Sequence, residues 1–244
     1  MFHLSLTAQN TIYLTVVKFY CLQIIAEELY ILMRSLKSDS AEIAPSVAKT
    51  ISQWNRRGVS LLTGSSEIFS LSHIWQFGLV RQGFSIHTVD CAIRFDAYAI
   101  AEEALRNGIS PEDIHDKITV SRCFTPYQIL DEMHYNLNKQ HKPDEIFFIL
   151  APAKQFFDGD VAEEEGVFLL KKLFNVFKEF QKMNVPLMIV EKEKYSHSAF
   201  QPFFHQTLQL ARPLFQLKIT GEKAAEIVRK IYSVKMSALA RETA

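Results

Sequence analysis

The chain has 244 residues, 48% of them hydrophobic, and its 27 basic and 27 acidic side chains cancel. A core of this size buries most of its apolar surface without staples, so one large domain, or one domain with an appendage, accounts for the length. Zero net charge excludes the global basic footprint of a protein coated in nucleic acid and leaves room only for a local patch. Cys21, Cys91 and Cys123 lie far apart without C-x-x-C spacing. They fit neither a disulfide framework nor a zinc site and point to core thiols in a reducing compartment, cytoplasmic or, in a eukaryote, nuclear.

Residues 1–49 are expected to form a helical appendage. Its apolar run from Thr11 to Met33 is interrupted by Lys18, Glu27 and Glu28. No uninterrupted apolar stretch reaches about 18 residues, so no membrane span is expected. A basic start and a small-residue cleavage site are also missing, against a secretory signal. Two readings stand: an amphipathic helix packed on the body, or translated sequence ahead of a natural start at Met33, where the composition turns polar.

The core is expected over residues 50–234. From Val59 short apolar runs alternate with helical patterns, the form of βαβ units around a parallel sheet. The predicted strands are Val59–Thr63, Ser85–Asp90, Ile118–Ser121, Glu145–Leu150 and Pro186–Val190. The run Ile146-Phe147-Phe148-Ile149-Leu150 is continuously apolar, as a strand covered on both faces requires. Thr125-Pro126-x-Gln128 and Ser110-Pro111-x-Asp113 mark helix starts: a hydroxyl cap, a proline in the first turn and a side chain reaching back. Asp160 followed by Glu163, Glu164 and Glu165 opens a long helix with acid at its positive end. Its stripe of Leu170, Leu173, Phe174, Phe177 and Phe180 faces inward, and Lys171, Lys172, Lys178 and Lys182 form a solvated face. An irregular stretch follows Val190, then strand-like runs at Thr207–Ala211 and Leu214–Ile219 divided by Pro213. A closing helix is expected over about Glu222 to Val234, and a tail over residues 235–244.

Two segments carry a resemblance. Val89-Asp90-Cys91-Ala92-Ile93-Arg94-Phe95, ending a strand and leading into a helix from about Asp96 to Arg106, is similar to the V-D-T-E-G-T-F-like segment of the RecA-type recombinases. The stretch from Asn107 to Met133, with Gly108, Pro111, Ile118, Val120, Arg122 and Phe124, resembles the G-x-x-P-E…I-x-V-x-R-x-F strand and helix of the eukaryotic and archaeal recombinases and the RadB and KaiC-like branch. The resemblance covers roughly Thr50 to Gly221. It implies an α/β fold, a three-layer RecA-like core of the P-loop NTPase type with a mostly parallel sheet between helices.

The phosphate chemistry of that family is not repeated. A phosphate loop needs glycines whose neighbouring N–H groups close on the anion, a lysine on the β and γ phosphates and a hydroxyl on magnesium. At the matching place stand Gly64-Ser65-Ser66-Glu67-Ile68-Phe69-Ser70-Leu71. Phe69 replaces the second glycine, Ser70 the lysine and Leu71 the hydroxyl residue, and Glu67 adds repulsion toward a triphosphate. Ala92 stands in place of the glutamate that positions water. Ala151-Pro152 follow the strand that would end in a magnesium-organising acid. The reading is therefore a degenerate ATPase core without a cofactor, neither ATP nor magnesium, and with Gly64, Ser70 and Asp90 as vestiges of a nucleotide site. Asp90 itself reads more simply as a strand-end capping acid. The eight histidines show no H-x-x-x-H spacing, so no metal site is expected; His73, His87 and His134 read as core-edge or surface residues.

The resemblance also implies two loops able to meet DNA or a neighbouring subunit, about Ala151–Ala162 and Glu191–Gln206. The candidate contacts are Lys154, Phe156 and Phe157 in the first, and Lys192, Lys194, Tyr195, Phe200 and Phe203 in the second. Aromatics stack on unpaired bases and lysines follow phosphates. Against DNA, Glu191 and Glu193 alternate with the lysines, and the aromatics serve equally to pin a long loop to the body. Three functions follow: a non-catalytic recombinase paralogue in DNA recombination or repair, binding a partner recombinase, itself or single-stranded DNA; a KaiC-like regulatory or scaffolding protein without DNA; or a divergent DNA-dependent ATPase.

Overall fold

The computed structural model describes residues 54–157, 160–195, 197–220 and 224–230, the last stretch and residues 218–220 by backbone alone. The expected appendage over residues 1–49, with its apolar run and Cys21, and the tail over 235–244 lie outside the described residues. Strands β1 (Val59–Gly64), β2 (Ser85–Asp90), β3 (Ile118–Arg122), β4 (Glu145–Leu150), β5 (Leu187–Lys192), β6 (Leu214–Thr220) and β7 (Ala224–Lys230) form one sheet. Its order is β3-β2-β4-β5-β1-β6-β7, with the first six strands parallel and β7 antiparallel to β6.

Side chains alternate across the sheet and bury two cores. One face carries Leu61, Val89, Phe147, Ile149 and Ile189 under α4 (Pro126–Asn138), α5 (Glu163–Lys182) and α6 (Phe200–Leu210). The other carries Leu62, Ile86, Phe148, Leu150 and Val190 under α1 (Ile68–Arg81), α2 (Ala97–Arg106) and α3 (Pro111–His115). Strand β4 feeds both, which is why its sequence is apolar without alternation. The protein is an α/β domain of three layers with a six-stranded parallel sheet between helices, consistent with a RecA-like core.

The expected start at Thr125 is made in full, whereas at α3 Pro111 takes the first turn but the Ser110 hydroxyl makes no capping bond and turns to the Glu112 carboxylate instead. Thr125 Oγ1 accepts from the Gln128 N–H at 3.2 Å, and Gln128 Oε1 returns to the Phe124 N–H at 2.8 Å. Within α5, Leu170, Leu173, Phe177 and Phe180 are buried and the four lysines exposed.

Two expectations at the C-terminal end are corrected. The segment 207–211 is not a strand: residues 207–210 close α6, whose buried Phe200, Phe203, Phe204 and Thr207 fall at helical spacing. Period 3.6 wins over the local β-branched and apolar content. The expected closing helix is also absent over the described residues 224–230, which form β7. Alanine and glutamate there favour helix, but β6 would otherwise present an open edge, and pairing from Leu214↔Lys230 to Thr220↔Ala224 closes it.

The turn after β4 is seated by one glycine. A Cβ on Gly166 in α5 would lie 2.1 Å from the Phe156 carbonyl oxygen in the 3-10 turn Lys154–Phe157. Gly166→Ala is expected to lower stability by about 3 kcal/mol, the scale of overpacking in a core. The control Gly108→Ala, where nothing lies within 4 Å and only φ +68° is strained, costs about 1 kcal/mol. Urea unfolding of both variants measures the contrast.

Candidate functional site at the carboxyl ends of the strands

In open parallel sheets ligands sit where loops leave the carboxyl ends of the strands. Here β1, β2, β4 and β5 bring their loops together at that edge, and main-chain groups of the protein itself fill it.

The turn from β1 into α1 is short. Gly64 lies under Ile68, and a Cβ added to it would approach Ile68 Cγ2, Leu217 Cβ and the Leu217 carbonyl oxygen at 3.0 Å each. Only Ser65, Ser66 and Glu67 separate strand from helix, and all three are exposed. The N–H groups of Ile68, Phe69 and Leu71 donate back to Ser65, Ser66 and Glu67 carbonyls at 3.3, 3.3 and 3.0 Å. They are not free to surround an anion. Ile68 and Phe69 are buried, and the Arg94 guanidinium lies 5.4 Å from the Phe69 ring centroid. Ser70 points to solvent from α1. A hydrogen bond from Ser65 holds the exposed Glu67 carboxyl below its usual range, so the turn presents an anion.

Asp90 ends β2 with 1% of its surface exposed. Its carboxylate accepts the N–H groups of Ala92, Arg94 and Phe95 at 3.3, 2.8 and 3.1 Å, and Arg122 Nε stands 3.7 Å away. This is the capping role that the sequence allows it. The loop so held leaves Ile93 at φ +52° with its side chain 66% exposed. On α1, His73 accepts the Asp96 N–H at 3.1 Å, and burial pushes its pKa down to about 4.

Glu191 is the residue that the sequence reasoning missed. It reads there only as an acid offsetting lysines, yet it is 1% exposed near the end of β5. Its carboxylate accepts from the Ala153 N–H at 3.0 Å, the Lys192 N–H at 2.9 Å and the Tyr195 hydroxyl at 3.0 Å. Burial pushes its pKa up to about 7 against the pull of those donors. Thr63 of β1 donates to the Glu191 carbonyl at 2.8 Å, so the carboxylate ties the β4 loop to β5, and the main chain ties β5 to β1. The available signal was a charged residue directly following Leu187-Met188-Ile189-Val190 without a turn residue between them.

The loop candidates separate by burial. Phe156, Phe200 and Phe203 are packed in the core. Phe157 stacks on His197 at 4.3 Å, and the Tyr195 ring meets Phe200 at 4.6 Å. Lys154 and Lys194 are exposed and Lys192 is half-buried, its ammonium 5.7 Å from the Tyr195 ring centroid. A cavity of about 230 Å³ lies between α6 and the ends of β1 and β6, lined by Thr63, Glu193, Lys194, Phe204, Leu214 and Gln216 among others. It is smaller than the pockets that enclose nucleotide-sized ligands.

Cys91 and Cys123, distant in sequence, follow directly on the paired Asp90↔Arg122 and are both free and buried. Burial raises the Cys91 thiol pKa and pushes that of Cys123 up to about 12, so both are inert at neutral pH. Among the described residues no three His, Cys, Asp or Glu side chains are grouped to hold a metal ion. No helix among them is long and apolar enough to cross a membrane. No family model matches this chain, and no curated protein matches it.

Opposed pH dependences follow from the two shifted groups. Glu191, raised from 4.5 to about 7, contributes stability that is complete below pH 4.5 and lost as pH rises through 7. His73, lowered from 6.5 to about 4, contributes stability present above pH 6.5 and lost as pH falls through 4. The melting temperature of wild type relative to Glu191→Gln is therefore expected to fall from acid toward pH 8, and relative to His73→Asn to rise over pH 4 to 6.5. Thermal denaturation across that range reads both trends, and parallel curves would contradict the assignment.

Proposed function

We propose that the chain is a non-hydrolysing RecA-like domain that acts in DNA recombination or repair by binding another RecA-like protein. The observation carrying this reading is the β1–α1 turn. It stands where the resemblance expects a phosphate loop, and its Ile68, Phe69 and Leu71 N–H groups are spent on its own carbonyls, with Ile68 packed over Gly64. No lysine lies between Lys49 and Arg81 to take the place of the phosphate-binding one. A core of this kind retains shape and surface without turnover, so its use is to be bound.

A protein partner is favoured over single-stranded DNA because Phe156, Phe200 and Phe203 are enclosed and offer bases no stacking face. Lys154, Lys192 and Lys194 remain for phosphate contacts, with Glu193 among them. The KaiC-like reading without DNA shares the same fold and differs only in the partner.

Titration with a fluorescent ATP analogue and magnesium is expected to show no saturable binding up to about 1 mM, a level that any working nucleotide site exceeds in affinity. Phosphate release is expected to stay at the blank rate with and without single-stranded DNA. An intact RecA-type recombinase from the same source is expected to be retained by the immobilised chain. Saturable nucleotide binding with turnover would make the chain a divergent ATPase. Failure to retain the recombinase, with DNA binding that weakens steeply with salt, would transfer the role to DNA.

A further inference from the structure

The sheet face under α6 changes character toward the carboxyl edge. Strands β1 and β6 pair there in the register Leu61↔Leu214, Leu62↔Phe215 and Thr63↔Gln216. Residues two apart share a face, so an apolar pair, Leu61 and Leu214, gives way to a polar pair, Thr63 and Gln216. Opposite them Gln201, Phe204 and Leu208 of α6, three and four residues apart, line the same space. Helix α6 crosses back from the end of β5 to the start of β6. Gln201 therefore lies at the carboxyl edge with Thr63 and Gln216, and Leu208 lies deeper, with Leu214. The cavity of about 230 Å³ enclosed here has one polar and one apolar end. Phe204 and Leu214 are buried and Leu208 half-buried.

The polar end carries two opposite charges that do not pair. Glu193 and Lys194 follow β5 in succession and both line the cavity. Among the described residues neither makes an ion pair. The Glu193 N–H donates to the Gly64 carbonyl at 3.1 Å, which ties the chain that presents both charges to β1. The Glu193 carboxylate accepts from the Gln216 amide nitrogen. That bond fixes the orientation of the amide and leaves Gln216 Oε1 buried with no donor among the described residues. A buried acceptor without a donor is costly, so the Gln216 side chain gains by turning to an N–H that enters the cavity. The Thr63 hydroxyl gives its proton to the Glu191 carbonyl at 2.8 Å, and toward a ligand it can only accept.

Acceptors grouped around a carboxylate select a cationic N–H group, the Lys194 ammonium selects an anion, and the apolar end selects hydrocarbon. A free α-amino acid carries all three in one small molecule. The volume agrees, since sites for drug-sized ligands begin at about 300 Å³.

We propose that this cavity binds a free α-amino acid with an apolar side chain. Its ammonium meets Glu193, Gln216 and Thr63, its carboxylate meets Lys194, and its side chain lies against Phe204, Leu208 and Leu214. The inference goes beyond the recombinase reading and does not rest on it, so its failure leaves that reading intact.

Isothermal titration of the full chain with L-leucine and L-phenylalanine is expected to show saturable binding at or below about 1 mM. N-acetyl-L-leucine lacks the ammonium and L-leucinamide lacks the carboxylate, and each is expected to bind about tenfold more weakly than leucine. Glu193→Gln is expected to weaken leucine about tenfold and to leave N-acetyl-L-leucine unchanged. Lys194→Met is expected to weaken leucine by a similar factor and to leave L-leucinamide unchanged. Leu208→Trp, which fills the apolar end, is expected to abolish binding, with circular dichroism verifying that each variant is folded. No saturable binding of either amino acid up to about 10 mM overturns the proposal. So does binding of the blocked analogues as tight as that of leucine, or binding indifferent to both Glu193→Gln and Lys194→Met.

Discussion

Each loop that leaves the carboxyl edge of a parallel sheet strands main-chain N–H groups, and where the loops after β2 and β4 turn inward, beside Asp90 and Glu191, the edge is buried and water does not serve them. Asp90 and Glu191 do. Each is 1% exposed, each accepts at least two main-chain N–H groups, and each sits at or beside the last residue of its strand. A buried carboxyl group that accepts several hydrogen bonds at once suits a position where a loop must hold one shape. The loop after β2, the 3-10 turn after β4 and the irregular stretch after β5 all hang from these two groups.

That arrangement explains why the edge does not read as an active centre. A catalytic carboxylate keeps an oxygen free for water or a metal, whereas both oxygens of Asp90 and of Glu191 are occupied by the chain. The turn from β1 into α1 is likewise filled from within, by Ile68 over Gly64 and by Phe69 under Arg94.

Much of the architecture was legible from periodicity. The continuous apolar run of β4, the Thr125-Pro126 cap and the inward stripe of α5 each follow from local residues whose preference agrees with their tertiary place. The failures came where tertiary context decides. Ala224–Lys230 has helical composition, and only the open edge of β6 makes it a strand. Residues 200–210 carry a readable helical stripe, Phe200, Phe203, Phe204 and Thr207, which a proline at Pro202 disguises although the first helical turn accepts it. Of the site, Asp90 was readable as a cap because the loop it holds follows it directly. Glu191 was not, since Ala153 reaches it across 38 residues. That Cys91 and Cys123 lie side by side, each following the paired Asp90↔Arg122, needed the β2–β3 register for the same reason.

The most direct measure of this closed edge is amide hydrogen exchange at Arg94, Phe95 and Ala153, with Phe148 and Ile149 in β4 as the internal standard, taken with and without millimolar magnesium and ATP. If the two carboxylates lock the loops, these amides exchange nearly as slowly as the central strand, and nucleotide changes neither them nor Gly64–Phe69. Rapid exchange at Ala153 and Arg94, or protection of Gly64–Phe69 that appears only with ATP, would mean that the edge opens and that the turn after β1 still binds phosphate.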